Sequence, residues 1–171
     1  MIILIPLGGT GERFKRNGYK LPKALINVFG EPIINYLLDS LTIADQLVYI
    51  PYNEEYKKYR FESRLKKRYP DVKFKFLCLT ENTRGAAETI NIALKELDCS
   101  DCPILCLDGD NFYQTDIINL WSGKNIIFTV ENRSENPIYS YIKTEGNIII
   151  DIAEKEKISD YACTGAYGFQ S

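Results

Sequence analysis

The sequence predicts an α/β domain built on a mostly parallel sheet flanked by helices. Three observations carry that expectation. Short apolar runs, many of them β-branched, alternate with longer mixed segments. The strand–helix order repeats along the chain, which favours right-handed crossovers within one sheet. A length of 171 residues, 45% of them apolar, supplies one domain with a sizeable core.

Taken in order, Ile2–Leu7, Gln46–Ile50, Val72–Leu77, Pro103–Leu107 and Asn125–Val130 read as buried strands bounded by turn formers. Between them the sequence predicts helices over Ile33–Ile43, Glu54–Arg68, Ala86–Leu97 and Thr115–Trp121. The first helix has Ile33, Ile34, Leu37, Leu38 and Leu41 at helical spacing behind Pro32, where a missing N–H costs least. After Val130 the pattern changes. Ile138–Lys143 and Asn147–Ala153 read as a hairpin around Glu145-Gly146-Asn147, and Ala166–Phe169 as a last short strand. A single domain over 1–171 is expected, in two parts, 1–130 and 131–171.

Composition narrows the chemistry. There is no His, so Ser-His-Asp and Cys-His catalysis and His-ligated zinc are excluded. A formal charge of -2 argues against a nucleic-acid partner held by phosphate contacts. No run approaches the ~20 apolar residues of a membrane helix. The opening MIILIPL is read as a strand rather than a leader, which gives a cytoplasmic expectation. Five cysteines, Cys78, Cys99, Cys102, Cys106 and Cys163, are expected as free thiols. The basic stretch Lys57–Arg68 is expected to be a solvated helix face.

The first strand runs into Leu7-Gly8-Gly9-Thr10-Gly11-Glu12-Arg13-Phe14, and Lys20-Leu21-Pro22-Lys23 follows. Three glycines in four positions let main-chain N–H groups approach an anion closely. Arg13 adds a forked donor and Lys23 a mobile charge, which together point to a nucleotide-phosphate loop. A Rossmann fingerprint would need Gly at Phe14, and a Walker A loop would need Gly-Lys-Ser/Thr. Neither is present. Further on, Pro103–Leu107 ends in Asp108-Gly109-Asp110-Asn111, acidic residues at the carboxyl end of a strand, where α/β sheets bind ligands. Such a carboxylate pair suits Mg²⁺.

PLGGTGERF…GYKLPKALINVFGEPII resembles the signature of the sugar-1-phosphate nucleotidyltransferases (NDP-sugar pyrophosphorylases). The resemblance implies a GT-A-like nucleotidyltransferase fold: a Rossmann-like sheet with a small β-hairpin subregion on the sugar side. It implies that 1–130 binds the nucleotide and 131–171 the sugar. Leu7, Gly8, Gly9, Thr10 and Gly11 would hold the nucleotide, and Arg13 and Lys23 its phosphates. Thr83, Gly85 and Ala86 resemble the family's base-and-ribose loop. Asp110 matches the metal-binding aspartate of the family's Gly-Asp-Asn, with Asp108 a weaker candidate. Glu154-Lys155 and Gly165-Ala166-Tyr167 resemble its sugar-site elements, and Tyr141 is a further sugar-contact candidate.

The activity implied is attack of a sugar-1-phosphate on an NTP, giving NDP-sugar and pyrophosphate, with Arg13, Lys23 and Asp110 as catalytic residues. Mg²⁺ on Asp110 is the implied cofactor, bridging the α-phosphate and the sugar phosphate. NTP and sugar-1-phosphate are the implied partners. Family members continue beyond the Gly-x-Tyr strand with a second metal-binding aspartate, and the sequence stops short of it at Ser171. An open sheet edge there would favour a homo-oligomer. Two other readings compete: a non-catalytic nucleotide-sugar-binding module, and a GT-A glycosyltransferase using Asp108-Gly109-Asp110 as an Asp-x-Asp motif.

Overall fold

The computed structural model describes residues 1–97 and 101–170. β1 (Ile2–Leu4) lies at the centre because every side chain along it is apolar and finds cover on both faces. Ile3 joins Val48, Ile50, Leu105 and Leu107 in one core, under α2 (Ile33–Asp39) and α3 (Phe61–Arg68). Ile2 and Leu4 point the other way, to Tyr49, Cys106 and Ala93 of α4 (Ala86–Lys95). This alternation on a two-sided sheet is what the continuous apolar run requires. Each fully buried Ile or Leu contributes roughly 1.5–3 kcal/mol.

β1 pairs in parallel with β4 (Leu47–Asn53) and β6 (Ile104–Leu107), and β4 with β5 (Lys73–Leu79). The other half of the sheet is antiparallel, so the sheet is mixed. β10 (Tyr161–Phe169) runs against β6, β7 (Ile126–Glu131) and β8 (Ser140–Glu145), and β8 forms the expected hairpin with β9 (Ile148–Glu154). β10 changes partner along its length. Ala162 faces Tyr141 of β8, while Ala166–Phe169 face β6. Its register against β7 breaks between Cys163 and Tyr167, and Gly165 sits in that break with φ +74°. The sheet therefore splits beside the end of β6, where the acidic turn emerges.

Some elements differ from expectation. The segment Glu54–Arg68 is not one helix: a 3-10 stretch (Glu54–Tyr59) and α3 are separated by Arg60 at φ +52°. α2 stops at Asp39, where the Ser40 hydroxyl donates to the Leu37 carbonyl. α5 (Ile117–Leu120) is short and capped by Asp116, which accepts from the Ile118 and Asn119 amides. The sequence did not foresee α1 (Glu12–Arg16), the 3-10 turn Lys23–Leu25 or the small hairpin of β2 (Asn27–Val28) and β3 (Glu31–Pro32). Cys102 is disulfide-bonded, which corrects the expectation of five free thiols. Cys78, Cys106 and Cys163 are free, and Cys99 lies outside the described residues. No helix among the described residues is long and apolar enough to cross a membrane.

Candidate active site

The glycine loop follows β1, and Gly8 and Gly11 are glycines for different reasons. A side chain on Gly8 would collide with the hydroxyls of Thr83 and Thr89, which bond each other at 2.6 Å. Gly11 adopts φ +66° to start α1, and its carbonyl accepts from the Phe14 and Lys15 amides. Gly9 has open space around it, and its carbonyl accepts from Asn53 Nδ2 at 2.7 Å. The nearly buried Asn53 thus ties the loop to the end of β4.

Pro22 and the buried Tyr56 set the second cation. The Ala24 amide donates to Tyr56 Oη at 3.3 Å, fixing the turn that carries Lys23. The Lys23 ammonium lies 5.6 Å from the centre of the Phe14 ring, a cation–π contact supplied by α1. From there it reaches Asp110: Lys23 Nζ is 2.5 Å from Asp110 Oδ2.

Asp110 projects from the turn after β6. Gly109 is required between the two aspartates because a side chain there would strike Leu7. Gly165 is required across the gap. Its Cβ would fall 2.5 Å from both Asp108 Oδ2 and Asn111 Nδ2. The Asp108 amide donates to the Gly165 carbonyl at 2.8 Å, so turn and bulge are held together. Burial raises the pKa of Asp108 above the ordinary carboxylate range; Asp110's charge adds to this and Lys23 opposes it. The Tyr167 phenol is pushed up to about 12, by burial first and then by Cys163 and Asp108.

Of these groups, Lys23, Asp108, Asp110, Gly165 and Tyr167 line one open cleft of about 790 Å³, whereas Gly8, Gly9 and Gly11 do not. Arg13, Lys23, Asp108 and Asp110 form one side. Gly165 and Tyr167 border the cleft on β10, next to the acidic turn, and Glu154 and Lys155 border it from the end of β9. Lys155 takes φ +55°, a left-handed conformation that costs a non-glycine residue of order 1–3 kcal/mol, and its amide donates to the Tyr139 carbonyl at 2.9 Å. The cleft can therefore accept an anion at its cationic end and a polyhydroxylated group between Glu154 and Tyr167.

Other expected residues lie elsewhere. Leu7 is buried, and its backbone bonds the end of β4. Thr10 is half-buried in the loop between Gly9 and Gly11. Thr83 meets Gly8 through an amide–carbonyl contact at 3.4 Å; Gly85 and Ala86 are exposed at the start of α4. This group sits against the glycine loop and does not line the cleft. Tyr141 corrects the sugar-contact expectation. It is fully buried, because strand alternation turns its neighbour Ser140 to the cleft and Tyr141 to the core. Sequence reasoning missed Asn53, Asn111 and Tyr113. Asn111 Nδ2 and Tyr113 Oη both donate to the Thr164 carbonyl, at 2.7 and 3.2 Å.

The carboxylates pass a chemical test for Mg²⁺. Among the described residues no group of three or more acidic, His or Cys side chains is poised for a metal. Asp108 and Asp110 offer hard oxygen donors beside the Arg13 and Lys23 cations, and one or two carboxylates are what Mg²⁺ takes when phosphates complete its shell.

A nucleoside-diphosphate-sugar pyrophosphorylase from Vibrio cholerae RC9 superposes with a TM-score of 0.79 at 25% identity, over 98% of this chain and 72% of that one. An inositol-1-phosphate CTP transferase from T. maritima shares the fold with a TM-score of 0.74 at 16% identity, over 99% and 70%. The ribosome maturation factor RimM of Brucella ovis is 32% identical over 120 residues, 70% of this chain, and the match spans 58% of that relative's length. The family model described as nucleotidyl transferase matches residues 2–171, from the first strand through the last. The chain belongs to the nucleotidyl transferase family.

Proposed function

We propose that this chain transfers a nucleotidyl group from a nucleoside triphosphate to a sugar-1-phosphate, releasing pyrophosphate. The observation that carries the reading is the single cleft joining Arg13, Lys23 and Asp110 to Glu154, Lys155 and Tyr167. The sugar-phosphate oxygen attacks the α-phosphorus in line, a new P–O bond forms, and the bond to the β-phosphate breaks. The nucleophile arrives already anionic, so the reaction needs no His to remove a proton. This chain's task is alignment and charge neutralisation.

Gly8 to Gly11 seat the phosphates on main-chain N–H groups, and Thr83, Gly85 and Ala86 border the base. Arg13 binds the departing pyrophosphate. Lys23 leaves Asp110 for the phosphate oxygens as the nucleotide enters, because a triphosphate is the stronger anion. Asp110, with Asp108 behind it, would hold Mg²⁺. When bound, that ion supplies positive charge to the reacting phosphates. Glu154 accepts from sugar hydroxyls, and Lys155 pairs with the sugar phosphate.

The test is incubation with Mg²⁺, a panel of NTPs and a panel of sugar-1-phosphates, with pyrophosphate measured. Release that depends on both substrates is the expected result. Transfer of sugar from a supplied NDP-sugar, or tight nucleotide binding without turnover of any pair, would overturn the reading.

A further inference from the structure

The acidic turn and the β10 bulge are joined by more than the close approach at Gly165. The Thr164 carbonyl receives two side-chain donors from the turn, Asn111 Nδ2 at 2.7 Å and Tyr113 Oη at 3.2 Å. The Thr164 hydroxyl donates onward to the Phe128 carbonyl of β7 at 2.9 Å. Tyr113 is anchored at its other end, where its amide donates to Ser40 Oγ at 3.3 Å, just past α2. Burial, and then the charge of Asp108, keeps the Tyr113 phenol well above its ordinary pKa, so it remains an O–H donor throughout the working range.

We infer that Tyr113 is a positioning residue that sets the distance between the phosphate side of the cleft on β6 and the sugar side on β10. The inference rests on the function proposed above. Gly165 and Tyr167 follow Thr164 on a strand whose register is already broken there. Without the Tyr113 bond, that segment would keep, toward the acidic turn, only the bond between the Asp108 amide and the Gly165 carbonyl and the one from Asn111, while the Thr164 hydroxyl ties it to β7 instead. The glycine loop and Lys23 have their own fastenings in Asn53, Tyr56 and Phe14, none of which passes through Tyr113. Loss of the hydroxyl should therefore disturb the sugar phosphate more than the nucleotide.

The variant is Tyr113→Phe, which keeps the ring and removes one hydrogen bond. The expected result is a rise of about fivefold in KM for the sugar-1-phosphate, the scale of one lost neutral hydrogen bond, with KM for the NTP within about twofold of wild type. Amide hydrogen exchange at Asp108 should quicken in the same variant, a readout that needs no activity. Equal movement of both KM values with a fall in Tm would mark a merely structural role and overturn the inference. So would unchanged kinetics together with unchanged exchange. If the wild-type chain itself shows no turnover, the reaction assignment fails, and the exchange rate at Asp108 alone decides whether the clamp exists.

Discussion

Lys23 Nζ stands 2.5 Å from Asp110 Oδ2, although the two residues lie far apart in the sequence. Both side chains are about one-third exposed, so the pair adds little to stability. Its value is positional: it marks the place where a cation and an anion site meet. Lys23→Ala and Asp110→Ala should each lower the rate of pyrophosphate release on the order of 10²–10³-fold, as for loss of one transition-state electrostatic contact. Their melting temperatures should stay within ~2–4 °C of wild type, the shift expected for about 1 kcal/mol. Wild-type rates in both variants would refute the roles given to them.

Asp108 carries a stability cost that depends on pH. Its carboxyl is held above the ordinary range, so the folded chain binds that proton more tightly than the unfolded chain does. The charged form therefore destabilises the fold at neutral pH, and the cost fades as pH falls through the raised value. Asp108→Asn should raise Tm at neutral pH, and the advantage should shrink on acidification toward the ordinary carboxylate range. Thermal melts of both proteins across pH check the sign. An advantage that grows on acidification would contradict it.

Gly165 combines a left-handed backbone with two close neighbours. Gly165→Ala should destabilise by about 1–2 kcal/mol from the backbone alone, with a further loss from the collision with Asp108 and Asn111. Urea unfolding measures this directly. Gly9→Ala serves as the control, since nothing lies within 4 Å of its added carbon, and it should change the midpoint far less.

Apolar runs made the strands legible, because burial on both faces of a parallel sheet leaves no room for alternation. Strand direction was not legible in the same way. β10 is built largely from small residues such as Ala162, Cys163 and Ala166, whose pattern says they are buried but not which way they run. α1 escaped because none of its five residues is buried, so it has no apolar periodicity. Arg13 and Lys23 stood out by glycine and proline spacing and Asp110 by its place at the end of an apolar strand and by the family resemblance, and the three line one cleft. Asn53, Asn111 and Tyr113 did not stand out. Their partners lie 44, 53 and 51 residues away, and only the folded chain brings an ordinary polar side chain to a particular carbonyl. Tyr141 shows the reverse case, a plausible polar contact that strand alternation turned inward.

The central claim is that the glycine loop, the two cations and Asp110 form one nucleotide seat. A crystal structure of the chain grown with Mg²⁺ and a non-hydrolysable NTP tests it most directly. The account predicts a triphosphate lying along Gly8–Arg13, with Lys23 moved from Asp110 onto phosphate oxygens and the metal on the Asp110 carboxylate. A nucleotide bound away from the glycine loop, with the Lys23–Asp110 pair intact, would contradict it.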